Sequence, residues 1–135
     1  MKQTRVVSSL KKPLDTATLS KLSEQRVERY MKLVARTRRN VAEHFQDHLK
    51  IPADPCLDIL LALQTSDDRS LRLETIAEQI LRHVSLTRRY LNVMAAQGLI
   101  DFDEQSESAF LTSLGVIELA YIIEQTYTDY LQVVE

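Results

Sequence analysis

Two glycines and three prolines in 135 residues leave this chain with few of the residues that tight turns demand. Hairpin turns draw on glycine for positive φ and on proline for fixed φ, so the composition argues against a many-stranded sandwich or barrel and for long helices. The length fits one domain, or one small domain with an oligomerisation element. With 44% hydrophobic and 27% charged residues, the chain can bury a core, which argues against wholesale disorder. No apolar run approaches the ~20 residues of a membrane-spanning helix. The first ten residues hold no sustained apolar stretch of the signal-peptide kind. A single cysteine, Cys56, rules out an internal disulfide and suits a reducing compartment, so the expected location is the cytoplasm.

The formal net charge of −2 averages two unlike halves. Residues 1–50 carry twelve Lys and Arg against five Asp and Glu, whereas residues 51–135 carry five against fourteen. A basic half points to an anionic partner, nucleic acid ahead of a membrane surface. Mutual attraction of the two halves, within or between chains, is the competing reading.

Hydrophobic periodicity divides the chain into four parts. Residues 1–14 lack it and read as a basic arm. In 15–53, Leu19, Leu22, Val27, Tyr30, Leu33, Val34, Val41, Phe45 and Leu49 recur mostly at three or four, as in one long helix or two joined ones. The stripe is too narrow to fold alone. Asp54-Pro55 starts the next helix, with Asp54 as N-cap and proline at the first helical position, and Leu57 to Leu63 are its apolar residues. Leu71-Arg72-Leu73 alternates like a brief strand. Ile76, Ala77 and Ile80 give one short helix. After the connection Leu81–Val84, Ser85 caps a second, whose buried face is Leu86, Tyr90 or Leu91, and Met94. Gly98 stops it, because glycine takes the left-handed conformation without a Cβ penalty. These two helices make a helix-turn-helix. Residues 99–103 and 108–112 alternate as two strands of a hairpin turning at 104–107, which closes the unit 54–112. Thr112 or Ser113 caps a last helix, 113–135, apolar on more than one face, which implies a partner as well as its own domain.

The order helix, strand, helix-turn-helix, hairpin, helix predicts a mainly α fold: a winged helix-turn-helix with long helices at both ends. From 54 to 123 the sequence resembles the MarR family of bacterial transcription regulators. The resemblance rests on Asp58-Ile59-Leu60-Leu61-Ala62-Leu63, Ile76-Ala77-x-x-Ile80, Ser85-x-x-x-Arg89, Met94-x-x-x-Gly98-Leu99-Ile100 and Leu111-Thr112-x-x-Gly115. It implies a homodimer held by the terminal helices, binding duplex DNA with the second helix of the motif in the major groove, and it leaves room for a small-molecule effector. The wing departs from the family, which usually carries Arg or Lys near the tip. Residues 101–108 here hold four carboxylates and no basic residue. Either the wing stays off the DNA or this winged helix serves protein–protein interaction instead.

The resemblance makes the candidate DNA contacts specific. Arg88 and Arg89 lie early in the recognition helix, where side chains reach base edges or phosphates, and Arg89 matches the family's arginine position. Ser85 and Thr87 are placed to donate to phosphate from the helix start, although Ser85 serves equally as a cap. Arg82 and His83 occupy the turn, beside the phosphates. Arg36 and Arg39, three apart on the long helix, are candidates for backbone contact, with a solvated face or an ion pair as the competing reading. His44 and His48 stand at i, i+4 near Cys56, but no ordered motif supplies further ligands, so no metal is expected. No Gly-rich phosphate loop, Ser/His/Asp order or paired buried carboxylates stand out, so neither a cofactor nor enzyme activity is expected.

Overall fold

The computed structural model describes residues 24–134, with the side chains of 24–132. The basic arm expected at 1–14, and the start of the long helix at 15–23, lie outside the described residues.

Helix α1 (Glu24–Glu43) runs on into a π-helical turn, His44–Leu49, which stops where Lys50 enters the left-handed region at φ 63° and donates its N–H to the Phe45 carbonyl. One stripe of this run is covered: Leu33 of α1 and Phe45 and Leu49 of the π turn are buried, whereas Tyr30, Met31 and Val34 face outward. Helix α2 (Ala53–Gln64) contains one extended residue, Asp54 (φ −102°, ψ 119°), so regular helix begins at Pro55. The backbone of Asp54 therefore has the expected cap conformation, but its carboxylate does not cap: it takes Arg82 instead. Helices α3 (Leu73–Ile80) and α4 (Val84–Ala96) form the helix-turn-helix. Strands β1 (Ser70–Arg72), β2 (Ile100–Asp103) and β3 (Ser108–Leu111) pair antiparallel in the order β1-β3-β2, with Leu71 opposite Ala109 and Phe102 opposite Ala109 on its other side. Helix α5 (Ser113–Val134) returns along α1. This is the mainly α winged helix-turn-helix that the sequence predicts.

One core joins every helix. Phe45 from the π turn, Ile59, Leu60 and Leu63 from α2, Ile76 from α3, Leu91 and Met94 from α4, and Leu99 and Ile100 from the hairpin are all essentially without solvent contact. Two sequence expectations about α4 are corrected. The helix starts at Val84, so Ser85 lies in its first turn and His83 is the N-cap, the ring Nδ1 accepting the Ser85 N–H at 3.2 Å. The buried face is accordingly Thr87, Leu91 and Met94, with Leu86 and Tyr90 half-buried. Thr87 goes inward because its hydroxyl donates to the His83 carbonyl at 2.9 Å, which satisfies the polar atom and leaves the methyl for the core.

The end of α4 is closed by a Schellman arrangement. The Gly98 N–H reaches the Ala95 carbonyl at 3.0 Å and the Leu99 N–H reaches Met94 at 3.1 Å, while Leu99 and Met94 are both buried. Gly98 has φ 79°, which an L side chain resists. Gly115 is needed for a different reason: a Cβ there would stand 2.2 Å from the Leu99 carbonyl oxygen and 2.7 Å from a Leu111 methyl. Thr112 completes the junction. Its hydroxyl donates to the Gly98 carbonyl at 2.6 Å and accepts the Gly115 N–H at 3.1 Å, so Thr112, not Ser113, caps α5.

The two glycines should therefore respond differently to alanine. Gly98→Ala is expected to cost about 1–2 kcal/mol, the left-handed backbone penalty. Gly115→Ala should cost about 3 kcal/mol or more, because the obstacle is a backbone oxygen that no rotamer change can move aside. Urea unfolding of both variants checks the order. Burial, together with the Asp54 carboxylate, pushes the Cys56 thiol from 9.0 up to about 12. The folded chain then keeps this proton after the unfolded chain has lost it. Stability should fall as pH climbs from about 9 towards 12, and Cys56→Ala should show a shallower fall over that window. Equal slopes would remove Cys56 from the account.

Candidate nucleic-acid interface

Burial of Thr87, Leu91 and Met94 fixes which side of α4 is presented to a ligand. Ser85, Arg89, Asn92 and Ala96, at i, i+4, i+7 and i+11, are all exposed and form one outward stripe. Arg89 makes no hydrogen bond or ion pair with the described residues, so its five donors are unengaged. Asn92 was not among the residues singled out in the sequence. The signal was available, since Asn92 lies seven residues after Ser85 on the same helical face and opposite either set of apolar residues.

Arg88 behaves otherwise. It reaches across to the wing and donates to Glu104 at 3.0 Å and to Glu107. The Glu107 hydrogen bond, reinforced by the charges of Glu107 and Glu104, pushes the guanidinium further up from an already high pKa. Its charge is answered inside the fold. Asp103 ties the wing turn together, one oxygen accepting the Gln105 N–H at 3.1 Å and the other the Ser106 hydroxyl at 2.9 Å. Three of the four wing carboxylates thus have partners within the chain, and the acidic wing grips α4.

The remaining sequence candidates separate in the same way. Thr87 is fully buried with its hydroxyl bonded to the backbone, so it offers nothing to a phosphate. Arg82 pairs with Asp54 at 2.9 and 3.2 Å, pinning the helix-turn-helix to the start of α2. His83 caps α4, and its ring also lies 2.9 Å from the Ser85 hydroxyl. Arg36 is half-buried and donates to Gln132 of α5 at 3.3 Å, so it braces the α1–α5 pair. Arg39 is exposed on α1 and has no partner among the described residues. Ser85 and Arg89 are brought together on the stripe; Arg36 and Arg39 belong to a different element.

No protein-family profile matches the sequence, and no curated protein matches it by sequence. Solved structures do match in three dimensions. A MarR family protein from Bacillus stearothermophilus superposes with a TM-score of 0.66 at 20% identity, covering 91% of this chain and 84% of that one. A MarR family transcriptional regulator from Streptomyces coelicolor, solved in complex with DNA, gives 0.57 at 18% identity, with 91% and 76% covered. A second Streptomyces coelicolor regulator of that family, AbsC, gives 0.57 at 12%, with 90% and 81% covered. The chain has the winged-helix fold of these regulators.

Because His83 acts as a cap, its replacement should be felt first in stability. His83→Ala is expected to lose about 1 kcal/mol, and His83→Asp, which restores an acceptor for the first-turn N–H, should recover most of it. Thermal unfolding of the two variants checks this; equal losses would show that the ring matters for something other than capping.

Proposed function

We propose that this chain is a DNA-binding transcription regulator that grips duplex DNA as a homodimer, with α4 in the major groove. The observation that carries the reading is the unengaged stripe Ser85, Arg89 and Asn92 on the second helix of a helix-turn-helix. An arginine and an asparagine are the side chains best matched to guanine and adenine edges in that groove. The likeness to a regulator solved in complex with DNA supports DNA as the ligand. In this reading Arg89 and Asn92 read bases, Ser85 donates to phosphate, and Arg39 supplies a backbone contact. Arg88, Arg82, Arg36 and His83 act indirectly, by holding the elements that present those groups.

The dimer follows from apolar surface. Along α1, Val27, Tyr30, Met31, Val34 and Ala35 line an open groove rimmed by Arg26 and Arg38. Ile117, Tyr121, Ile123, Tyr127 and Tyr130 are exposed along α5. Apolar faces on two neighbouring helices are what a two-fold contact between identical chains would cover. Such a dimer would carry two α4 helices about 34 Å apart, one turn of duplex, as paired half-sites require.

Light scattering should give twice the 15.5 kDa chain mass at micromolar concentration. Fluorescence anisotropy against a selected site and a scrambled duplex, at several salt concentrations, then sorts the residues. Arg89→Ala should cost about 1–3 kcal/mol on the selected site and flatten the preference between duplexes. Glu104→Gln with Glu107→Gln should free Arg88, tighten binding to every duplex, and steepen the salt slope by about one unit. A stable monomer with no salt-dependent duplex binding would overturn the reading and favour a winged helix that docks on another protein.

A further inference from the structure

Where the π turn of α1 faces α5, the two histidines noted in the sequence meet a third group from across the fold. A cavity of about 420 Å³ opens there, with Asn40, His44, Asp47, His48 and Tyr121 in its lining. His44 Nε2 lies 3.0 Å from one oxygen of Glu118, and His48 Nε2 lies 3.2 Å from the other. The three groups' donor atoms all fall within 4.8 Å of one another. We propose that His44, His48 and Glu118 form a binding site for a divalent transition-metal ion of the zinc class.

Geometry and donor chemistry both favour it. Ligand bonds of 2.0–2.1 Å at tetrahedral angles put neighbouring donor atoms about 3.3 Å apart. The separations of the two imidazole nitrogens from the Glu118 oxygens, 3.0 and 3.2 Å, are within a few tenths of an ångström of that. Two imidazoles and one carboxylate suit zinc and its neighbours, whereas magnesium and calcium favour all-oxygen sets. The ligands are unequally exposed in a way that fits a three-ligand site with an open position. The side chains of His44 and Glu118 are only 15% and 13% exposed, and that of His48 is 61% exposed, giving an entry path for the ion and room for water as fourth ligand. The His44 ring is held in place by tilted stacking on His48 at 4.9 Å and on Tyr121 at 5.0 Å. Both histidines lie on the π-helical turn, a backbone form that recurs at functional sites. The proposal does not depend on DNA binding.

The test uses the full-length chain without an affinity tag, stripped with a chelator and dialysed. Cobalt(II) should bind at one ion per chain with visible ligand-field absorption, and zinc should displace it. His48→Gln, at an exposed position that should not disturb folding, and Glu118→Gln should each weaken binding by more than the ~10–100-fold typical of groups that only orient ligands. His83→Gln, a histidine outside the cluster, should bind as the parent does. Absence of a saturable ion, or parent-like affinity in both His48→Gln and Glu118→Gln, would overturn the proposal.

Discussion

The Thr112 hydroxyl sits between two helices and fixes both. It donates to the Gly98 carbonyl at the end of α4 and accepts the Gly115 N–H at the start of α5. Gly115 lets the first turn of α5 press against the Leu99 carbonyl, where any side chain would collide. Helix α4, the wing that follows it and the long terminal helix therefore share one rigid corner. With the corner set, β2 leaves Gly98 in a defined direction, β3 pairs back onto it, and β1 adds to the free edge of β3. Leu-Thr-x-x-Gly was part of the family resemblance; its physical content is this corner.

Electrostatics then decides which cations remain for a ligand. Carboxylates from the acidic half fall on the motif arginines: Asp54 on Arg82, Glu104 and Glu107 on Arg88. Exposed pairs of this kind add little to stability. Their consequence is orientation, because Arg88 ties wing to helix while Arg89, one residue on, points away and stays unpaired. A surface that is acidic in composition can thus still present one unpaired arginine on a polar stripe. Both paired arginines, Arg82 and Arg88, belong to the acidic half itself, so this pairing lies within residues 51–135 and leaves the attraction between the two halves of the sequence unused here.

Elements were legible in the sequence because each rests on local rules. The hairpin alternation, the positive-φ role of Gly98 and the apolar spacing of α3 all act over a few residues, and all are found in the structure. Errors arose where distant partners set the answer. Thr87 rather than Leu86 turns inward because Leu91 and Met94 are held by core residues from α2, α3 and the hairpin. The helix itself starts two residues before the expected point, with His83 as cap. The fate of Arg88 depends on carboxylates sixteen and nineteen residues away, and that of Arg36 on Gln132 near the other end of the chain. Glu118 was invisible as a companion of His44 and His48 because 70 and 74 residues separate them from it. Pattern reading finds faces; pairing between faces needs the fold.

The histidine–glutamate cluster and the corner lie close together on α5. Glu118 follows Gly115 by three residues, under one helical turn, or about 4.5 Å along the axis. An ion at the cluster would link the π turn of α1 to the same stretch of α5 that is braced against the end of α4. Each imidazole is already at contact distance from a Glu118 oxygen and the three donor groups lie within 4.8 Å of one another, so the ligands would gather by side-chain adjustment with the helices left in place. A ligand changes a conformational balance only by as much as it prefers one state over another. Here the preference would be for the arrangement already seen, with α5 seated on α1 and its first turn packed on Leu99. The expected effect is stiffening of the α1–α5 pair, which in the proposed dimer would narrow the range of positions open to the two α4 helices and leave each domain's internal geometry as it is.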